Sequence, residues 1–370
     1  MRAGSRALGD LMDLEALRDE IRRKDEEIAR LVAERTGLAR EIGRIKRREG
    51  LPIRNAAVEE AVVARYLDNG RSQGLSDEVS KAVARAVIKE AVDAEAALPT
   101  GDGGLRAAVV GGAGKMGAWT AEFLRGSGHD VIVVDPAAED SCDISECAKC
   151  DVVVVSVPIH STGAVLSRLE GICSPDTLVF DLASLKTPIE GRLRSMASRM
   201  KVCSVHPMFG PSATSLYGRN LIICDCGNSE AVREAEALFG DRGGNIRVMD
   251  LSSHDSYMSY VLGLTHAVNI ALFTVLDRSG YGFEDLQTVA STTFNKGLDT
   301  NMSVASEDPM LYYEIQHMNS HRDRMWELFS KAVEDLRERS LSDDPSGFVE
   351  LMDAGRRYFT GSEGSRITVF

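Results

Sequence analysis

The sequence predicts three consecutive folded regions of different class, all-α, then α/β, then all-α. Three observations carry that prediction: an amphipathic run without proline over residues 14–48, a glycine-rich turn at Gly112, Gly114 and Gly117 between a short apolar strand and a helix, and the absence of strand patterns after Ser252. A chain of 370 residues has room for two or three domains at roughly 100–200 residues each.

The first element has Leu14, Leu17, Ile21, Ile28, Leu31, Leu38, Ile42 and Ile45 at spacings mostly of three, four and seven, which predicts one long helix with an apolar stripe and a charged outer face. Gly50, Leu51 and Pro52 stop it. Two shorter helices are expected at 56–69 and 76–97, the second opened by Ser76 with Asp77 and Glu78 behind it. Three helices of such unequal length leave the long one without internal cover, so an intertwined dimer is expected of residues 1–98. A Pro/Gly-rich linker at 99–104 leads into residues 105–251, where strands are expected at 105–110, 130–134, 151–157, 177–182, 201–205 and 221–224. Strand–helix alternation of this kind implies a parallel sheet covered on both faces. Residues 252–370 read as helical to the end.

Composition excludes several functional classes. With 43 basic against 56 acidic residues the net charge is −13, which disfavours general binding to nucleic acid or anionic membrane. The apolar fraction of 44% fills a sizeable core. No apolar run in the sequence approaches the ~18–20 residues of a membrane span, and the start of the chain has no apolar signal core. Seven cysteines, an odd number, fit a reducing cytoplasm. Cys142, Cys147 and Cys150 include a pair at metal-ligand spacing, but no second pair or histidine sits suitably, so no metal is expected and small thiols are the plainer reading.

The glycine turn has the context that a dinucleotide-binding fingerprint needs. Gly112 is assigned the tight turn, Gly114 the close approach of backbone to a pyrophosphate, and Gly117 the close packing of helix on strand, with Lys115 and Met116 between them at the helix N-terminus. Asp135, twenty-three residues after Gly112, ends the second strand where a carboxylate binds a ribose 2′-hydroxyl. Glu139 and Asp140 follow with no cation nearby, which favours NAD over NADP.

Three further segments lie at strand ends: Ser156-Val-Pro158-Ile-His160, Asp181-Leu-Ala-Ser184-Leu-Lys186 and Val205-His206-Pro-Met-Phe-Gly-Pro211. They offer a hydroxyl, a cation and an imidazole, a set suited to removing hydride from an alcohol while a neutral histidine takes its proton. A structural turn histidine is the alternative reading of His206. These segments, with the glycine turn and His254-Asp255 and His266, resemble prephenate dehydrogenase of tyrosine biosynthesis. Residues 14–21 and 38–46 resemble the all-helical chorismate mutase family. Together they resemble the bifunctional chorismate mutase/prephenate dehydrogenase arrangement over nearly the whole chain. The resemblance implies an all-α chorismate mutase-like N-terminal domain, an α/β Rossmann dinucleotide-binding domain and an all-α dimerisation domain.

The resemblance further implies that His206 partners the ring hydroxyl of prephenate, that Ser184 orients His206 and touches the same hydroxyl, that His266 lines the substrate site, and that Lys186 supplies positive charge near it. Gly112, Gly114, Lys115, Met116, Gly117, Asp135, Ser156 and Pro158 would hold NAD. The family's substrate arginine, six residues before an Asp-Pro proline, is Ser303 here, and Lys296 or Arg322 is the expected substitute.

For the mutase, a pericyclic rearrangement needs a preorganised cationic site and no nucleophile. Arg35 and Lys46, eleven residues apart, share a helix face. The resemblance has Arg18 entering a neighbouring subunit's site, Glu59 holding the substrate hydroxyl, and Glu95 where some relatives have Gln. Asn55, Val58 and Ala91 replace the usual Asp, Arg and Ser. A protonated Glu95 could donate to the ether oxygen, so mutase activity is expected to rise as pH falls. Two other readings stay open: arogenate as the dehydrogenase substrate, and residues 1–98 as a non-catalytic dimerisation or regulatory module. The chain is thus expected to be a cytoplasmic homodimer acting on chorismate and prephenate.

Overall fold

A computed structural model describes residues 14–98, 104–240 and 242–360, and the expected linker falls almost wholly outside them. The described residues form two compact units. The first takes Met1–Val157, Ala164–Leu182 and Leu193–Met249; the second takes Pro158–Gly163, Ala183–Arg192 and Asp250–Phe370. The N-terminal helices and the sheet therefore share one unit, although the sequence divides them at a linker.

In the first unit, α1 runs Leu14–Glu49, α2 Ala56–Ser72 and α3 Asp77–Ala96. Asn55 caps α2 through its side chain, accepting from Val58 N–H, and Ser76 does the same for α3 through Val79 N–H. α1 keeps Leu14, Ile21, Ile28 and Leu31 exposed, and Leu38 is 68% exposed, so the apolar stripe is open along most of its length. α1 and α3 meet closely at Gly43, where a Cβ would lie 2.8 Å from Leu98 Cδ1 and 3.0 Å from Glu95 Cγ. A small cluster of Ile53, Val62, Ile88, Val92 and Ala96 closes this region, with Tyr217 packed against it.

The sheet has seven strands in the order β2-β1-β3-β4-β5-β6-β7: β1 Arg106–Val110, β2 Asp130–Val134, β3 Val152–Val155, β4 Leu178–Asp181, β5 Val202–Pro207, β6 Asn220–Asp225 and β7 Asn245–Asp250. β1 to β5 pair in parallel. The expectation of a parallel sheet is corrected at its far side, because β6 lies antiparallel to β5, with His206 opposite Ile222. β7 is an additional strand whose mixed polar sequence and exposure hid it from periodicity. The helices between strands are α4 Lys115–Gly126, α5 Ile159–Glu170, α6 Glu190–Ala197 and α7 Ser229–Gly240. The apolar faces of α4 and α7 and the sheet enclose Val109, Leu124, Val154, Phe180, Val205 and Phe239. Burying each of these large side chains contributes about 1.5–3 kcal/mol. Trp119 on α4 stacks on Phe123, meets Phe209 edge-on at 5.0 Å, and donates its indole N–H to Ala213 O at 2.7 Å.

The second unit is mainly helical: α8 Leu251–Met258, a π-helical stretch Ser259–Leu264, α9 Thr265–Arg278, α10 Phe283–Thr288, α11 Thr292–Ala305, α12 Pro309–Met318, α13 Arg322–Ser340 and α14 Ser346–Thr360. The expectation that nothing reaches membrane-span length is corrected here. The π-helical stretch joins α8 to α9, making Leu251–Arg278 one continuous helical segment of 28 residues, whose most apolar 18-residue window has mean hydropathy 1.6 and is 22% buried. Length and composition alone do not distinguish a span from a helix awaiting a protein partner.

Candidate functional sites

The helical part of the first unit contains a cavity of about 560 Å3 lined by Arg35, Lys46, Asn55, Val58, Glu59, Arg65, Ala91 and Glu95 among others. Four of the five residues expected for the mutase, Arg35, Lys46, Glu59 and Glu95, thus face one space. Arg18 is exposed on the second turn of α1 and does not line this cavity. Arg35 donates to Val87 O at 2.6 Å, which fixes its guanidinium against α3. Lys46 donates to Ile53 O at 2.5 Å and to Glu95 Oε2 at 2.8 Å. Glu95 is buried, and the close approach at Gly43 brings its helix to Lys46. Glu59 is gripped by Arg54, whose Nε and Nη2 each donate to a different carboxylate oxygen at 2.8 Å. Sequence reasoning missed Arg54 and Arg65. Arg54 lies in the turn before the N-cap of α2, where helical spacing says nothing, whereas Arg65 falls two turns beyond Val58 on the same face and was legible.

The dinucleotide fingerprint sits between β1 and α4. The tight turn expected at Gly112 is corrected by one residue: the left-handed backbone belongs to Gly111, φ +85, where a Cβ would meet Ser156 O at 2.2 Å. Gly112 is needed for another reason, since a Cβ there would press on Val133 at 2.7 Å. At Gly117 a Cβ would lie 2.1 Å from Gly111 O, so only glycine lets α4 start against the turn. Gly114 is the N-cap of α4 and supplies no side-chain hydrogen bond, leaving the helix start suited to an anion. Lys115 is exposed and Met116 half-buried on its first turn. The Asp135 carboxylate accepts from Ala113 N–H at 3.0 Å and Ala137 N–H at 2.9 Å, which anchors it beside the turn. Ser156 follows β3, with its N–H bonded to Val110 O at 2.7 Å, and Pro158 precedes α5. This cradle, with no room for side chains and a carboxylate at its edge, fits NAD.

His206 is buried at the end of β5. On the same strand Ser204 donates to Asp181 Oδ2 at 2.6 Å, tying β5 to β4. Cys147, Cys150, Cys203, Cys224 and Cys226 are buried thiols, and burial pushes Cys147 up to about 12.

In the second unit, the segment after β4 carries Ser184, half-buried, and Lys186, 1% exposed. Lys186, expected to supply positive charge near a substrate, donates its Nζ to Ala183 O at 2.6 Å within its own turn. The turn is anchored by Asp255. Asp255 accepts from Lys186 N–H at 2.9 Å, Thr187 N–H at 2.7 Å and Thr187 Oγ1 at 2.6 Å, and its Oδ1 lies 2.6 Å from His254 Nδ1. Burial pushes its carboxyl up, but these hydrogen bonds outweigh burial and hold it down at about 2. His266 is buried on α9 with its ring 4.1 Å from Tyr312, and burial pushes it down to about 4, so it is neutral at pH 7. Its Nδ1 is buried without a hydrogen-bond partner among the described residues. His160 bonds to the buried carboxylate of Glu314. Ser303 and Lys296 are exposed on α11, and Arg322 begins α13.

Comparison with known proteins decides what these parts are. Residues 17–96 match the family model of chorismate mutase type II, 122–248 that of the prephenate dehydrogenase nucleotide-binding domain, and 250–354 that of the prephenate dehydrogenase dimerization domain. The chain belongs to the bifunctional chorismate mutase/prephenate dehydrogenase family. It is 27% identical to the T-protein of Enterobacter agglomerans over 96% of this chain and 95% of that protein, and 26% identical to the T-protein of Haemophilus influenzae over 94% and 92%. In fold it resembles prephenate dehydrogenase from A. aeolicus, solved with hydroxyphenyl propionate and NAD+, with TM-score 0.56 and 21% identity over 69% of this chain and 96% of that one. Mutase domain, NAD-binding domain and dimerisation domain thus follow one another as the sequence predicts.

Proposed function

We propose that this enzyme of tyrosine biosynthesis rearranges chorismate to prephenate in the cavity of its helical domain, and that His206, Ser184 and His266 then serve the oxidative decarboxylation of prephenate to 4-hydroxyphenylpyruvate. The carrying observation is the convergence of Arg35, Lys46, Glu59 and Glu95 on one cavity. Cations there suit a dianion and a developing negative ether oxygen, and Glu59 suits the substrate hydroxyl. Val58 and Ala91 leave that cavity less polar than the family pattern, and Arg18 of a second copy would complete it.

In the dehydrogenase half, NAD+ held at the glycine turn would supply the hydride acceptor for the ring carbon that bears the hydroxyl. His206 receives the hydroxyl proton, and Ser184 hydrogen-bonds the same oxygen. The ring carboxylate leaves as CO2, its bonding pair completing the aromatic ring. His266, kept neutral by burial, lines the ring's site without adding charge that would hold the departing carboxylate in place. Asp135 would receive the ribose hydroxyls and the start of α4 the pyrophosphate, with Ser156 and Pro158 bordering the nucleotide. Lys186 supports the Ser184 turn.

The exposed apolar stripe of α1, together with a match to a dimerization domain, supports a homodimer, and the free cysteines support a cytoplasmic site of action. Ser303, standing where the family has its substrate arginine, supports arogenate as a second substrate reading. Purified enzyme given chorismate and NAD+ should form reduced nicotinamide with no added mutase, and His206→Asn should let prephenate accumulate. Undiminished reduction of NAD+ by that variant refutes the proposal, and a higher kcat/KM for arogenate than for prephenate selects the second reading.

A further inference from the structure

The Arg54 guanidinium has three partners, and two of them belong to the nucleotide-binding domain. Nε and Nη2 hold the two oxygens of Glu59, as described, while Nη1 donates to Asn245 Oδ1 at 3.0 Å. Its carbon centre also lies 5.0 Å from the centroid of the Tyr217 ring. Asn245, the first residue of β7, is itself fixed: its N–H bonds to Arg219 O at 2.8 Å and its Nδ2 donates to Asn220 Oδ1 at 3.2 Å. Gly243, with φ +78, lets the chain pass this point, because a Cβ there would lie 2.7 Å from Val92 Cγ1 and 3.7 Å from Arg54 Cδ. Each of the three guanidinium nitrogens of Arg54 thereby has an acceptor, and a planar fork held on three sides leaves its carboxylate partner one orientation.

Resting on the mutase reading, we propose that Arg54 is a positioning residue for Glu59, and that Asn245 and Tyr217 hold it in place, so that the nucleotide-binding domain completes the geometry of the mutase site. Glu59 borders the cavity and Arg54 does not, so the arginine acts through the carboxylate. Asn245 makes no contact with the cavity and acts one step further back. Displacing a substrate-holding group by about 1 Å costs up to about a hundredfold in rate. The expected losses in chorismate kcat/KM are therefore about tenfold to a hundredfold for Arg54→Gln and about threefold to tenfold for Asn245→Ala. A lysine keeps the charge but cannot make the two-point grip, so Arg54→Lys should recover only part of the loss.

The test is a double-mutant cycle on the full-length chain with Arg54→Gln and Asn245→Ala, measuring mutase kcat and KM beside prephenate kcat, NAD+ KM and thermal midpoint. The proposal expects Asn245→Ala to lower mutase kcat/KM while the prephenate reaction and NAD+ KM stay at wild-type values, and to add no further loss in the Arg54→Gln background. Mutase activity unchanged in Asn245→Ala overturns it, as do losses that add in the double variant or a mutase loss matched by a fall in prephenate turnover and midpoint. Wild-type enzyme without chorismate turnover instead overturns the mutase reading, and this inference with it.

Discussion

Asp255→Asn tests how the second unit holds the Ser184 turn. The Asp255 carboxyl titrates at about 2 in the fold against 3.8 when unperturbed. At 1.36 kcal/mol per unit, the native interactions favour its ionised form by about 2 kcal/mol. Because the folded value is the lower one, this stabilisation is complete well above pH 3.8 and disappears as pH falls through 3.8 toward 2. The amide keeps one acceptor but loses the charge, so the variant should be less stable by about 2 kcal/mol at neutral pH, with the deficit closing below 3.8. His266 acts in a separate, higher window. Its folded value of about 4 lies below the ordinary 6.5, so the unfolded chain binds the proton first and stability falls as pH drops from 6.5 to 4. Urea titrations of wild type, Asp255→Asn and His266→Gln across this range separate the two windows, and prephenate kcat/KM should fall in Asp255→Asn while chorismate turnover does not. A neutral-pH urea midpoint equal to wild type, or a deficit that persists unchanged to pH 2, refutes the reasoning.

Three other outcomes are expected. Glu95→Gln releases Lys46 from its ion pair and offers an amide donor in place of a carboxylate, so mutase kcat/KM should rise about tenfold; a fall in kcat/KM counts against this. Gly117→Ala drives a Cβ into Gly111 O, so NAD+ KM should rise at least about tenfold in steady-state assays, and an unaltered value would contradict the close-packing argument. Alanine at both Lys296 and Arg322 should raise prephenate KM about tenfold, and an unchanged KM removes them as substitutes for the arginine replaced by Ser303.

The legible features are those with a local physical signature. α1 could be read nearly to its ends because its apolar spacing is helical and Gly50 and Pro52 interrupt it, and Arg35 and Lys46 face one cavity because eleven residues make three turns. Local spacing could not show which glycine takes the left-handed turn, since Gly111 and Gly112 are adjacent and the choice depends on Ser156 across the sheet. The reversal at β6 depends on pairing, and β7 at the edge has too few buried side chains to alternate. The anchoring of Lys186 and Thr187 by Asp255, and the grip of Asn245 on Arg54, join residues far apart in the sequence. The long apolar segment at 251–278 escaped because polar residues interrupt its run, while the helix averages over them.

The packing of Trp119 has an optical consequence. An indole wedged between Phe123 and Phe209, with its N–H committed to Ala213, will emit at a wavelength and intensity set by the strip of chain that follows His206. The sequence has only one other tryptophan, Trp326, exposed on α13 beside Phe329. Replacing that residue with phenylalanine leaves a single reporter, through which the packing of that strip of chain can be followed without a label.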